Sequence, residues 1–305
     1  MITLLTLLWT ATIEMSAIFR FFPAITWFTL GLLVGRHQML HLVPFDLSFL
    51  KTVDVSLKSG SHQHAIIIPY RNRTYHLKVI KQYLSGYLLR KFPRETFSLW
   101  VIEQYNSNLF NRGWLANVGI KLATELYPKI QCIIFHDVDM IPKNETVVPY
   151  NECNFPLQLG SELQHWKWGV PYQNYAGGVV SMNVRHWHQI NGFSNDFEGW
   201  GGEDDDLFER LKVNELLDND TKTIRRPIEG CGVFNTISEA RQHHPEKVKG
   251  NNEYKRSLQI IGEMQRGSNR WKSDGLSDLT FRILGFENAS SLRTIVTCHH
   301  VRVVP

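Results

Sequence analysis

The chain predicts an α/β fold in which helices cover both faces of a mostly parallel sheet. Three observations carry this. Short, continuous apolar runs bounded by turn signals recur at Ala65 to Ile68, Phe97 to Ile102, Cys132 to Phe135 and Gly178 to Met182. Helical patterns at about Tyr75 to Lys91 and Arg112 to Leu126 separate the first three. Runs that are apolar at every position, not at alternate ones, belong to strands buried on both faces, and alternation with helices gives parallel pairing. Finally, polar clusters follow the strands directly, as in "PYRNR" after the first and "HDVD" after the third. Ligands of such sheets bind beyond the carboxyl ends of the strands, so these clusters should face one crevice.

Residues 1–35 are the most apolar part of the chain, interrupted only by Glu14 and Arg20, and read as a signal anchor. A secretory signal would show a charged start and a small-residue cleavage site, neither of which is clear. The uninterrupted run from Phe21 to Gly35 spans roughly 22 Å as a helix, against a hydrocarbon core of about 30 Å, so a membrane span must draw in flanking residues. Residues 36–62 lack periodicity and read as a stem, and residues 63–305 form the folded domain. With 43% hydrophobic and 12% aromatic residues, this part can bury a large core. The net charge is +4 with Lys and Arg scattered along the chain, which argues against a nucleic-acid footprint. Cys132, Cys153, Cys231 and Cys298 show no CxxC spacing, so a structural zinc site is disfavoured and an oxidising lumen fits. Sequons at Asn72, Asn144, Asn219 and Asn288 agree with the secretory pathway, although that of Asn72 overlaps the first strand end. The stretches Asp218 to Arg226 and Glu246 to Arg256 read as polar surface loops.

Four constellations carry chemistry. Asp137 and Asp139 at i and i+2 on an extended segment would point to one side, and two close carboxylates need a cation to stay ionised together. A divalent ion of the Mg²⁺ or Mn²⁺ type, completed by nucleotide phosphates, suits such oxygen ligands; a solvated turn is the alternative. "EGWGGEDDDLFERL", Glu198 to Leu211, sets Trp200 among glycines as a flat face for a sugar ring and packs four acids, Glu203 to Asp206, at a helix start. The macrodipole stabilises acids there, but four exceed what capping needs, and one could act as general base for a sugar hydroxyl. Arg71 and Arg73 of "PYRNR", with Phe110 and Arg112 of "FNRG", suit phosphate oxygens and a nucleobase. In "RQHHP", His243 or His244 offers a nitrogen ligand.

Taken in order, "PYRNR", "FNRGWLANVG", "FHDVDMIP", "PYQNYAGGV", "NGFSNDFEGWGGEDDDLFERL" and "SDGLSDLTFRIL" resemble the animal β-1,4-galactosyltransferase family over about residues 64 to 285. The resemblance implies a single-pass type II Golgi membrane protein with a GT-A fold, a Rossmann-like mixed sheet with helices on both faces. It implies Mn²⁺, UDP-galactose as donor, a GlcNAc-terminated glycan as acceptor, and inversion at the anomeric carbon. Carried over residue by residue, Pro69, Tyr70, Arg71, Arg73, Phe110, Arg112, Asp137, Val138, Asp139, Tyr175 and Trp200 become donor contacts. Tyr172, Trp200, Gly201, Gly202, Glu203, Asp204 and Asp205 become acceptor contacts, with Asp204 as catalytic base, and Asp139 and His244 become metal ligands. Tyr175 stands where a bulky side chain crowds the acetamido group of GalNAc, which favours galactose. Cys132 and Cys153 fall near the family's disulfide, leaving the other two cysteines free. Relatives that use xylose tend to carry a charge where Gly202 stands, so GlcNAc is favoured. Three departures stand out: the family often has Phe at Tyr70, its phosphate-side lysine is displaced here by two positions to Lys167, and its Met-x-x-His falls on Thr236 and Glu239. The remaining readings are a GalNAc transferase and a silent carbohydrate-binding homologue.

Overall fold

The computed structural model describes residues 62–237, 252–290 and 296–305, all within the compact unit Leu47–Pro305. The anchor, the stem up to residue 61, and His243 and His244 lie outside the described residues. Among the described residues no helix is long and apolar enough to cross a membrane.

In chain order, the first half runs β1 (His64–Tyr70), α1 (Thr74–Lys91), β2 (Phe97–Gln104), α2 (Arg112–Leu126), β3 (Cys132–His136), β4 (Met140–Pro142), β5 (Leu157–Gln158) and β6 (Glu162–Leu163). It continues through β7 (Val179–Asn183), α3 (Val184–Gln189), α4 (Glu203–Val213), β8 (Val233–Thr236), α5 (Asn252–Gln265), β9 (Arg282–Ser290) and β10 (Val296–Val304). The main sheet has seven strands in the order β5-β7-β3-β1-β2-β10-β9. Strands β3, β1, β2 and β10 are parallel, whereas β7, β5 and β9 add antiparallel pairs at the two edges. The sheet is thus mixed, not mostly parallel, and its parallel centre holds the strand ends that carry the polar clusters. A second sheet of three short strands, β4-β8-β6, lies after β3.

Strand alternation explains why β1 and β2 are apolar throughout. Ala65 and Ile67 pack with Trp100, Ile102 and the α2 residues Leu115 and Val118. Ile66 and Ile68 turn to the other face, with Leu99, Val101 and the α1 residues Ile80, Leu84 and Leu88. Helix α2 starts where Asn111 caps it, its side chain accepting from the Trp114 backbone N–H at 2.8 Å, which supplies one of the unmet donors of a helix start. A disulfide joins Cys132, at the start of β3, to Cys153, and Cys231 and Cys298 are free, as the resemblance implied. The expected loop over Glu246 to Arg256 is helical from Asn252 onward. Its first turn is polar because only Ser257, Ile260, Ile261 and Met264 of α5 are buried, so the apolar stripe begins after the helix does.

Gly119 marks the tightest helix-to-sheet approach. A Cβ there would stand 2.3 Å from Ile67 Cγ2 and 3.1 Å from Ile102 Cγ1. Gly119→Ala is expected to destabilise the fold by about 1–3 kcal/mol through overpacking, read as a lower urea midpoint with an unchanged slope; an unaltered midpoint would show that the layers can separate freely.

Candidate active site

Because β1, β2 and β3 are parallel, the segments leaving them emerge at one edge. The structure brings the sequence-singled residues of that edge together in pairs. Arg71 donates to the Asn108 carbonyl and lies 5.2 Å from the Phe110 ring centroid. Arg73 Nη1 reaches Asp139 Oδ2 at 2.8 Å. Arg112 donates from Nε to Asp137 Oδ1 at 2.9 Å and from Nη1 to Glu203 Oε1 at 2.9 Å, with its guanidinium 4.2 Å from the Phe135 centroid. Pro69 and Tyr70 close β1, and Tyr70 and Val138 are buried.

Asp137 and Asp139 do not lie on an extended segment. They sit in the turn between β3 and β4, where the Met140 N–H donates to the Asp137 carbonyl at 3.4 Å, and each carboxylate has its own guanidinium. Burial raises the Asp137 pKa to about 6, with Arg112 opposing and Asp139 adding to the rise. Among the described residues no group of three His, Cys, Asp or Glu side chains gathers as a metal site. Asp139 nevertheless fits a divalent cation in chemistry: its side chain is 31% exposed, it offers hard oxygens, and a positive group already rests on it. The Ile237 N–H donates to the Asp139 carbonyl at 2.7 Å, so the segment bearing His243 and His244 departs from beside this aspartate. Thr236, where the family count expected methionine, pairs with Met140 in the small sheet and meets His165 Nδ1 through its hydroxyl at 2.8 Å.

Gly199, Gly201 and Gly202 have φ of 84°, 93° and 103°, a region costly for other residues, and Gly202 opens α4 as its N-cap. Trp200 between them is 40% exposed. The four acids of α4 then separate by partner. Glu203 pairs with Arg112, Asp205 accepts from the Tyr172 hydroxyl at 2.8 Å, and Asp206 pairs with buried Arg210 at 2.6 Å. Asp204 has no side-chain partner among the described hydrogen bonds; its Oδ1 accepts from the Asp205 backbone N–H at 3.1 Å. Burial first, then the charges of Glu203 and Asp205, push its pKa up to about 7, against the opposing pull of Arg112. A capping role would keep the acids ionised and solvated; this one is poised to exchange a proton near neutral pH.

Tyr175 meets Tyr172 edge to face at 5.7 Å. Burial, followed by Asp137 and Asp204, raises the Tyr175 pKa above the usual phenol range. Gly177 was missed in the sequence, although "AGG" was visible. A Cβ there would fall 2.7 Å from Asp204 Oδ2 and 2.7 Å from the Tyr175 ring, so its lack of a side chain lets the acid and the tyrosine share one spot. Also missed was Asp274, which accepts from Arg210 at 3.3 Å and from Ser194 Oγ at 2.5 Å. Arg210 itself was hinted at by its i, i+4 spacing from Asp206.

The sequence matches two family models, described as the N-terminal region of glycosyl transferase group 7 over residues 58–154 and as the N-terminal domain of galactosyltransferase over residues 157–237. The chain belongs to the β-1,4-galactosyltransferase family. It is 32% identical over 263 residues to β-1,4-galactosyltransferase 1 of Bos taurus, covering 83% of this chain and 61% of that protein. It is 34% identical over 224 residues to β-1,4-galactosyltransferase 4 of Rattus norvegicus, covering 73% of this chain and 60% of that protein. The chain thus spans about three fifths of the length of these relatives. In fold it is similar to the catalytic domain of Drosophila β-1,4-galactosyltransferase 7 in complex with xylobiose, with a TM-score of 0.62 at 23% identity over 80% of this chain and 94% of that one. A mutant of the same Drosophila enzyme with manganese, UDP-Gal and xylobiose gives 0.61 at 24%, over the same shares.

The Asp204 environment of this galactosyltransferase-family chain has a consequence for stability. Its folded pKa of about 7 lies above the ordinary 3.8, so ionisation costs stability progressively as pH rises from about 4 through 7. Asp204→Asn is therefore expected to raise stability at pH 8 by roughly 1–3 kcal/mol and to leave it nearly unchanged at pH 4, measured by denaturant melts at both values. A variant less stable than the parent at pH 8 would contradict the desolvated setting that holds the Asp204 pKa up.

Proposed function

We propose that this chain is a β-1,4-galactosyltransferase that moves galactose from UDP-galactose to a terminal GlcNAc of a glycoprotein or glycolipid glycan, with inversion. The observation that carries the reading is Asp204, a partly buried carboxyl whose pKa is pushed up to about 7 by desolvation, four residues along the chain from the exposed Trp200 and drawn down by the charge of Arg112. Family membership supports the same reaction.

In this reading, Asp204 takes the proton of the acceptor hydroxyl. The acceptor oxygen then forms its bond to C1 of the donor sugar as the bond from C1 to the UDP oxygen breaks, and a single displacement inverts that carbon. Arg71 and Arg73 stabilise the departing diphosphate, Phe110 and Tyr70 flank the nucleoside, and Asp137 with Val138 borders the donor sugar. Mn²⁺ would be held by Asp139 with His244, or His243 beside it, and when bound supplies charge neutralisation for the leaving group. Tyr172 and Asp205, already joined, bind the acceptor together with Trp200, Gly201, Gly202 and Glu203. Tyr175 fills space that a 2-acetamido group would need, which favours galactose over GalNAc. Residues 1–35 are proposed as the anchor of a type II Golgi membrane protein, 36–62 as its lumenal stem and 63–305 as its catalytic domain.

Turnover is tested by UDP release from the full chain with Mn²⁺, UDP-galactose and free GlcNAc. Release should require acceptor and metal, and kcat/KM should climb with pH through about 7 as Asp204 ionises. Asp204→Asn should lower kcat by at least about 100-fold while UDP binding persists; substantial transfer by that variant would remove the base from Asp204. Faster turnover of UDP-GalNAc than of UDP-galactose would overturn the role of Tyr175 and leave the site standing.

A further inference from the structure

Strand β3 sends Cys132 and Ile134 to the α1 face of the sheet, and Ile133 and Phe135 to the other. The same alternation turns its last residue, His136, toward α1, where an apolar side chain would be expected. His136 and Tyr150 have no exposed surface. Their rings stack 5.9 Å apart at 11°, with the Phe234 ring 6.0 Å from the imidazole. An imidazole withdrawn from water in this way costs stability unless its nitrogens are met, and here each has a partner. Nδ1 lies 2.8 Å from the Asp137 carbonyl oxygen, and Nε2 lies 2.8 Å from the Tyr150 hydroxyl. A carbonyl only accepts, so Nδ1 carries the proton; in the neutral ring Nε2 then accepts from the Tyr150 O–H.

The Asp137 carbonyl is the pivot of the turn between β3 and β4. Its backbone donor, the Met140 N–H, stands at 3.4 Å, beyond the usual range for such a bond, whereas the imidazole sits within it. The imidazole therefore closes this turn more firmly than the turn's own bond does. At the other end of the residue, the Asp137 N–H donates to the Gly178 carbonyl at 3.1 Å. Tyr150 is fixed in its turn. Its N–H donates to the Val148 carbonyl at 2.8 Å, and the Val148 N–H donates to the Tyr87 hydroxyl at 2.9 Å. That hydroxyl donates to the Thr146 carbonyl at 2.9 Å. A chain of bonds thus runs from α1, through the loop after β4, to the peptide that leads into Val138 and Asp139.

We infer that His136 is a positioning residue of the cation site: held by Tyr150, its imidazole fixes the Asp137 carbonyl and so aims the Asp139 carboxylate at the ion. The inference rests on the reading of Asp139 as a metal ligand. Bonds behind a ligand set its direction, and losing one costs about 10- to 100-fold in metal affinity.

The experiment titrates the full chain with Mn²⁺ in saturating UDP and counts the free ion by electron paramagnetic resonance. His136→Phe keeps an aromatic ring without its nitrogens and is expected to weaken Mn²⁺ binding by about tenfold or more. His136→Asn sets an amide N–H near the place of Nδ1 and should bring affinity back to within about threefold of the parent. Tyr150→Phe removes one oxygen and should weaken binding by about threefold. Urea melts of the same proteins separate aim from packing. Lower midpoints with parental Mn²⁺ affinity in His136→Phe and Tyr150→Phe would make the pair a packing feature and overturn the inference, as would equal losses in His136→Phe and His136→Asn. Should His136→Phe fail to fold, Tyr150→Phe decides: weaker Mn²⁺ binding upholds the inference and parental binding overturns it. Mn²⁺ binding that survives Asp139→Ala, or is absent from the parent, would instead remove the cation site and the inference with it.

Discussion

The guanidinium of Arg112, 16% exposed, is the group on which the candidate site depends. It joins the turn after β3, through Asp137, to the first residue of α4, through Glu203. These partners are 25 and 91 residues away along the chain. A charge largely withdrawn from water needs its partners, so loss of either one is destabilising. The three segments therefore fold as one arrangement. The same guanidinium acts on Asp204, since its charge holds that pKa down while desolvation and two neighbouring acids push it up to about 7.

A second pair, this one fully buried, anchors the rest of that helix. Arg210, with no exposed surface, reaches Asp206, Asp274 and the carbonyl of Gly192 at 3.3 Å. Helix α4 is therefore tied down on its core side by a network that does not touch the acceptor residues. The loop before it has a different build: Gly201 has positive φ, and a Cβ there would find no atom within 4 Å. The proposed base thus rides on a helix held by that network, and Trp200 on backbone flanked by glycines of positive φ.

The central strands and the first two long helices were legible because β1, β2, β3, β7, α1 and α2 each carry a continuous apolar run or a clean stripe. The small sheet was not. Strands β5 and β6 are two residues long and β4 three, too short for any period to show. The two arginine pairs, Arg73 with Asp139 and Arg112 with Asp137, join residues named from sequence, but their pairing is tertiary. Composition and spacing left the four acids of α4 equivalent, and only the family resemblance set Asp204 apart. Their partners separate them physically, and those partners come from α2, from the loop of Tyr172 and from Arg210 within the helix.

The metal side of the site shows how far a residue count can carry. Counting from Arg226 and Pro227 places the family's methionine at Thr236, and the structure puts Thr236 in β8, opposite Met140 and bonded to His165. A threonine hydroxyl engaged by an imidazole offers a poor soft ligand, so the count does not restore a Met-x-x-His site by a neighbouring substitution. The bond from Ile237 to the Asp139 carbonyl still fixes the starting point of the segment that follows. His243 is six residues further along and His244 seven. At about 3.3–3.6 Å per extended residue, either spans roughly 20 Å or more from that anchor. Chain length therefore permits both histidines to return to Asp139 and favours neither, whereas in the sequence "QHHP" Pro245 restricts the backbone of His244 and not that of His243.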